Sequence, residues 1–252
     1  MQYQNSKILA VIPARLKSER FPNKLLQTLK GEVILKRVYD NIVNSGITEN
    51  IIVATDSKEI VDFCTKHGVA TFYMEDEVSC GSERLWYVSR EYPEYDYYLS
   101  FAADEALIDP LEIKNMWIDY QVIKKIHRYD IYTCGSKFYN HQRIPSFNSC
   151  KIVTNKDDRV LFFSRSPIPL SKGGLLHPDK YTKHVGIFVF TKSLLKVIDK
   201  PSRLWGEPLS RTQGLEQTSF LENNFTVGII RINHRYYGVD TIEDLNALEE
   251  MI

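Results

Sequence analysis

The chain lacks both common glycine-rich phosphate loops: neither G-x-x-x-x-G-K-[S/T] nor G-x-G-x-x-G occurs in its 252 residues. That weighs against a P-loop NTPase and against a simple dinucleotide dehydrogenase. Cysteine is scarce. The four, at 64, 80, 134 and 150, include no C-x-x-C pair and no histidine at zinc-finger spacing, so reduced thiols are expected rather than a disulfide framework or a zinc site. Neither sign of charge is in excess, with 32 basic against 32 acidic residues. A global basic sheath for nucleic acid is therefore not indicated, while a local basic cluster is still allowed. Long apolar runs are also missing. The one near the N-terminus, residues 8–13, is followed by Ala14 and then Arg15, too short for a signal-peptide core or a membrane span. There is no internal repeat and no low-complexity stretch. A soluble, cytoplasmic protein is expected.

What is present is a core. The chain is 43% hydrophobic and 12% aromatic, which argues against disorder, and its length is enough for one large α/β domain or two small ones. KILAVIP reads as a fully buried strand, apolar without alternation. EVILKRVYDNIVNSG carries Ile34, Val38 and Ile42 at helical spacing and ends at Gly46. NIIVATD reads as a second strand. SKEIVDFCTKHG reads as a helix capped by Ser57 and stopped by Gly68. VATFYM, GSERLWYVSREY and DYYLSFAAD follow as strand, helix and strand. This alternation predicts βαβ units and a mostly parallel, Rossmann-like sheet flanked by helices, with ligands at the carboxyl ends of the strands. In the second half, residues 131–138 and 148–163 read as β-ribbons, the latter turning at Asp157-Asp158. KHVGIFVFT is a strand followed by a helix at 191–199. SRTQGLEQTSFLENN reads as one helical stretch, FTVGIIRIN as a strand, and a last helix starts at Thr241. Pro167, Pro169, Gly173 and Gly174 mark an irregular stretch.

Three constellations can carry chemistry. Arg15, Lys17, Arg20 and Lys24 crowd one loop after the first strand, with Ser18 among them. Such cations repel unless an anion sits between them, and arginine forks suit phosphate oxygens. The alternative is a solvated basic loop; its place at the exit of a buried strand favours phosphate. Asp104 and Glu105 leave the fourth strand, where Asp104 suits Mg²⁺ and Glu105 suits a structural role. The competing reading is an acidic turn ahead of a helix beginning at Asp109-Pro110. Asp240, in YYGVDTIEDL, sits at another strand exit, with Asp244 better explained as first-turn helix chemistry. His67, His127, His141 and His234 are scattered and read as surface or satisfied core residues. Trp86 and Trp117 read as core, and Trp205 as a candidate pocket wall.

These stretches resemble a known family. IPARLKSERFPNK resembles the opening signature I-P-A-R-x-x-S-x-R-x-P-x-K of 3-deoxy-manno-octulosonate (Kdo) cytidylyltransferases. CGSERL, FFSRSPIP, KHVGIFVF, GLEQTSFLENN and GVDTIEDL resemble later motifs of that family, in order along nearly the whole chain. The resemblance implies a Mg²⁺-dependent transfer of CMP from CTP to an acidic 3-deoxy sugar with release of pyrophosphate. It would serve lipopolysaccharide or capsule synthesis, in a homodimer, with no nucleic acid and no membrane. It implies Asp104 and Asp240 as metal carboxylates, Arg15, Arg20, Ser18 and Lys24 around the triphosphate, and Gly81 and Ser82 by the base. Arg165, His184, Glu216 and Gln217 would approach the sugar. A single domain is expected, residues 1–125 forming a CTP-binding half and 126–252 a sugar-binding and dimerisation half, with 131–210 the seat of the dimer.

Two departures fall on the sugar side. The family's Q-G-D-E-P is here Ala102-Ala103-Asp104-Glu105-Ala106, and the tyrosine of H-[LV]-G-[IL]-Y is Phe188. A site built to hydrogen-bond a group discriminates strongly for it, so the losses at Ala102 and Phe188 point to an altered sugar. An 8-amino-3,8-dideoxy relative of Kdo is one candidate. The rival readings are a nonulosonate as acceptor and a non-catalytic, nucleotide-binding regulatory relative.

Overall fold

The computed structural model describes residues 6–16, 20–75, 78–139, 141–175, 177–198, 204 and 208–252; the side chains of His141 and Pro208 lie outside this set. Strands β1 (Ile8–Ala14), β4 (Ile51–Thr55), β5 (Thr71–Tyr73) and β6 (Tyr97–Phe101) pair in parallel. Helices α1 (Ile34–Ser45), α2 (Lys58–Lys66), α3 (Gly81–Glu91) and α4 (Pro110–Ile126) alternate with them. A short hairpin, β2 (Thr28–Leu29) and β3 (Glu32–Val33), turns at Lys30 and Gly31, both at positive φ, as a tight two-residue hairpin turn requires. Helix α1 ends at Gly46 with φ 66°. Ser57 caps α2 by accepting the Ile60 amide, and Asp109 caps α4.

Strands β7 (Ile131–Lys137), β10 (Thr182–Thr191) and β11 (Val227–Arg231) extend the same sheet, in the order β5-β4-β1-β6-β10-β7-β11. Only β10 runs against its neighbours β6 and β7 in this row. The ribbon reading of residues 131–138 is thereby corrected. They form an inner strand, because their partner lies some fifty residues on, in β10, and local pattern cannot reveal so distant a pairing. The second ribbon is as expected: β8 (Lys151–Thr154) pairs with β9 (Val160–Ser164), and Asp158 takes φ 58° in the turn. The stretch 210–224 is not one helix. It breaks at Gly214, φ 59°, between α6 (Pro208–Gln213) and α7 (Thr218–Glu222). Helices α5 (Lys192–Val197) and α8 (Ile242–Met251) complete the chain.

The sheet separates two cores. Ile8, Ala10 and Ile12 of β1 pack toward α1, α2, α4 and α8, whereas Leu9 and Val11 pack toward α3, α5 and α7. Successive strand residues face opposite sides, so an unbroken apolar run is what a strand covered on both faces needs. Trp117 packs partly buried against the first core and Trp86 against the second. No helix among the described residues is long and apolar enough to cross a membrane.

Candidate active site

Strand direction decides where side chains converge. β1, β6 and β11 run the same way, so Arg15, Asp104 and the segment leading to Asp240 leave the sheet at one edge. β10 runs the opposite way and brings its first residues, Lys183 and His184, to that same edge. A cavity of about 1040 Å³ opens there; Arg15, Arg20, Lys24, Asp104, Arg165, His184 and Asp240 are among its lining residues.

On one side of the cavity two carboxylates face a single ammonium. Lys24 Nζ lies 2.6 Å from Asp104 Oδ2 and 3.7 Å from Asp240 Oδ1, and donates to the Val239 carbonyl at 2.9 Å. Burial works to lower the Lys24 pKa, but the Asp104 carboxylate, with help from Asp240, holds it above its ordinary value. Asp240 moves upward, first through burial and then through the charge of Asp104, as expected of two carboxylates sharing a site. Arg20 donates to Asp240 Oδ1 at 2.7 Å and to Asn148 Oδ1 at 2.5 Å. Arg15 lies exposed on the cavity wall. Lys17 and Ser18, assigned to this loop from sequence, lie outside the described residues.

Asp240 sits on a segment without regular structure, and buried polar contacts fix it. The Val239 amide donates to the Asp104 carbonyl at 3.1 Å. His234 meets Glu105 at 3.1 Å, its amide and carbonyl both engage the Ser136 hydroxyl, and Lys183 Nζ donates to the Tyr236 carbonyl. Burial pushes the Glu105 carboxyl up, but the His234 contact, then Lys183 and His184, bring it down to about 2. Glu105 is thus a structural anchor, and His234 a satisfied core histidine. Asp244 closes a capping box with Thr241, accepts the Asp240 amide at 3.0 Å and takes Arg143 at 2.5 Å.

The other side of the cavity holds the residues expected near a sugar. Ala102 donates its amide to the Gly186 carbonyl at 2.7 Å. A Cβ on Gly186 would stand 2.5 Å from the Ala102 Cβ, so β10 can approach β6 here only as glycine. His184 contacts Phe163 and Phe188 through its ring. The Thr133 hydroxyl gives its proton to the Ile187 carbonyl at 2.7 Å and therefore accepts from His184 Nε2 at 2.8 Å. Burial lowers the His184 pKa to about 4. In this arrangement the one ring proton of a neutral His184 goes to Thr133, and Nδ1 is left as an acceptor. Arg165 gives Nε to the Gln213 carbonyl at 2.6 Å, NH1 to Phe147 at 2.7 Å and NH2 to Gly214 at 2.9 Å. Gln217 is buried and donates to Cys150 Sγ at 3.4 Å. Glu216 lines the cavity and joins the stretch between α6 and α7 to the start of α3, accepting from Ser82 N and Oγ, each at 3.1 Å. Ser82 is fully buried in that contact. Gly81 does line the cavity, and a Cβ there would crowd Pro13 at 3.3 Å. Trp205 lies outside the described residues.

Sequence reasoning missed Arg143, Asn148 and Lys183, all on the cavity wall. Lys183 carried a signal, since a lysine directly before His184 in a buried strand needs a partner. Asn148 and Arg143 carried none, because their partners lie far away in sequence.

Residues 9–232 match the model of a family described as Cytidylyltransferase. The chain is 33% identical to the 3-deoxy-manno-octulosonate cytidylyltransferase of Koribacter versatilis, covering 98% of this chain and 90% of that one. It is 30% identical to the Acidobacterium capsulatum protein of the same name, covering 97% and 96%. Among solved structures, a CMP:2-keto-3-deoxy-manno-octonic acid synthetase complexed with CTP superposes with a TM-score of 0.82 at 25% identity, over 98% of both chains. Sequence, fold and the convergence of the quoted motifs on one cavity agree that this chain is a nucleotidyltransferase and belongs to the 3-deoxy-manno-octulosonate cytidylyltransferase family.

Proposed function

We propose that the protein transfers CMP from CTP to the anomeric hydroxyl of a 3-deoxy-octulosonic acid, releasing pyrophosphate. One observation carries the reading: Asp104 and Asp240, from two strand exits, converge on one cation beside Arg20. The ammonium of Lys24 is a stand-in that reveals a cation-seeking pair. The donor set fits Mg²⁺. No group of three His, Cys, Asp or Glu residues forms a metal cage among the described residues, and Mg²⁺ commonly takes one or two carboxylates plus phosphate oxygens and water. When bound, Mg²⁺ would neutralise charge on the triphosphate. In the transfer, a bond forms between the sugar oxygen and the α-phosphorus, the bond from that phosphorus to the bridging oxygen of pyrophosphate breaks, and the proton of the attacking hydroxyl is given up to water. Arg15, Arg20 and Lys24 stabilise the negative charge that gathers on the leaving group. Arg165 has two of its five N–H donors beyond the three given to carbonyls, enough for a sugar carboxylate.

A second, narrower reading concerns the acceptor. Ala102 and Phe188 remove two polar groups that the family offers the sugar, which favours an acceptor other than Kdo itself, such as its 8-amino-8-deoxy analogue. The cellular setting we assign is cytoplasmic sugar activation for lipopolysaccharide or capsule. We also assign a homodimer, because Leu161, Phe162, Leu170 and Leu175 expose apolar surface within residues 131–210. Sedimentation equilibrium tests that assignment. The activity is tested by pyrophosphate release from CTP and Mg²⁺ with Kdo, its 8-amino analogue and a nonulosonate. Turnover with an octulosonate that disappears in Asp104→Ala supports the reading. Equal use of Kdo and the amino analogue would sink the narrower one, and CTP binding without turnover of any sugar would favour a regulatory relative.

A further inference from the structure

Lys151 opens β8 fully buried and takes no part in the chemistry described above. Its ammonium has three N–H donors, and each finds one carbonyl: Ser146 at 2.6 Å, Ser149 at 2.6 Å and Arg165 at 2.7 Å. An apolar residue there would take this donor from the buried Ser149 and Arg165 carbonyls and leave the Ser146 carbonyl with the Ser149 amide at 3.3 Å. Ser149 and Arg165, which carry two of these carbonyls, line the cavity. Between Ser146 and Ser149 lie Phe147, whose carbonyl holds Arg165 NH1 at 2.7 Å, and Asn148, whose side chain holds Arg20 at 2.5 Å. The third carbonyl belongs to Arg165 itself, which also gathers the turn at Gln213 and Gly214. In the ribbon Lys151 stands opposite Ser164 on β9 and Lys183 on β10, so the tripod is braced by strands on both flanks.

We propose that Lys151 is a positioning residue for substrate binding: its buried ammonium sets the 146–149 loop and the Arg165 backbone, and through them orients Arg20 toward the triphosphate and Arg165 toward the acidic sugar. The inference rests on the proposed activity for its account of what Arg20 and Arg165 bind. Lysine is suited to the task because three hydrogen bonds from one nitrogen lock three separate points of chain to a single atom. An arginine would spread its donors over a plane.

The test compares wild type, Lys151→Met, Asn148→Ala and the double variant. Calorimetry gives CTP affinity and steady-state assays give the two KM values. Lys151→Met is expected to weaken CTP binding about tenfold and to raise the sugar KM by a similar factor, with a smaller change in kcat. Asn148→Ala is expected to weaken CTP binding several-fold and leave the sugar KM alone. In the double variant the CTP effects should not add, because both act through the same loop. A folded Lys151→Met protein with wild-type CTP affinity and wild-type sugar KM would overturn the proposal, as would additive effects on CTP. Should Lys151→Met fail to fold, Asn148→Ala still decides, since unchanged CTP affinity there would break the link from loop to Arg20. Wild-type protein that turns over no acidic sugar would defeat the activity reading instead, and the calorimetric comparison needs no acceptor.

Discussion

Lys24 is the residue on which the site's electrostatics turn. Its ammonium sits between two carboxylates that would otherwise repel each other, so it competes with any cation for them. Replacing Lys24 with Met should therefore tighten binding of Mn²⁺ in the absence of nucleotide, read by paramagnetic resonance titration. The same change should lower the rate of pyrophosphate release on the order of a hundredfold or more, the usual scale for losing a charge aimed at the transition state. Unchanged Mn²⁺ affinity would mean that the ammonium and the ion occupy different places. Asp104→Asn should reduce activity at least as far while leaving the fold intact, because Asn keeps the volume and the hydrogen-bonding edge. A near-native melting temperature beside lost turnover checks that.

Between elements, the contact that shapes the proposed sugar side is the approach of β10 to the exit of β6. Any side chain at Gly186 meets the Ala102 Cβ at 2.5 Å, far inside van der Waals contact. Gly186→Ala is expected to cost about 1–3 kcal/mol, the range for overpacking, and to raise the sugar KM more than the CTP KM. Denaturant midpoints and the two KM values check the split; equal shifts in both would mean a general loss of fold. At the start of α8, the capping box of Thr241 and Asp244 has a second duty, since the same Asp244 carboxylate accepts the Asp240 amide. Thr241→Ala should cost about 1 kcal/mol of stability, as lost N-caps do, with catalysis largely kept because Asp244 still holds Asp240.

The molecule as a whole should lose stability on mild acidification. His184 is held neutral, its pKa lowered by burial to about 4 from 6.5. The unfolded chain binds that proton at higher pH than the folded one, so stability is present above about pH 6.5 and falls as pH drops toward 4. Over the interval from 6.5 to 4.5 the loss should be on the order of 2 kcal/mol, with Glu105, lowered to about 2, adding a further loss only below its unfolded value. Urea midpoints at pH 7 and pH 4.5 for wild type and His184→Gln test this; identical pH slopes in the two proteins would refute it.

Much of this architecture was legible in the residues. The apolar runs of β1, β4 and β6, the caps Ser57, Asp109 and Thr241, and the stop at Gly46 are local signals, because helix and strand periods and caps act over a few residues. The same holds for Asp104 and Asp240, placed at strand exits by sequence and found together in one cavity. What escaped depended on distant partners. Residues 131–137 became an inner strand only because β10 pairs with them, and His184 is driven toward its neutral form by the burial that the surrounding core imposes. The partners of Lys151 are near in sequence, but its three carbonyls meet only once β8 and β9 pair. By itself, then, the sequence determined the α/β class, the sheet edge at which the cavity opens and the acids and bases that meet there, since these follow from short-range pattern. The tertiary structure alone decided which cations are free to meet a substrate and which are spent on the wall that holds it, since that depends on how separate strands and loops come together, over spans from 14 residues between Lys151 and Arg165 to 220 between Arg20 and Asp240.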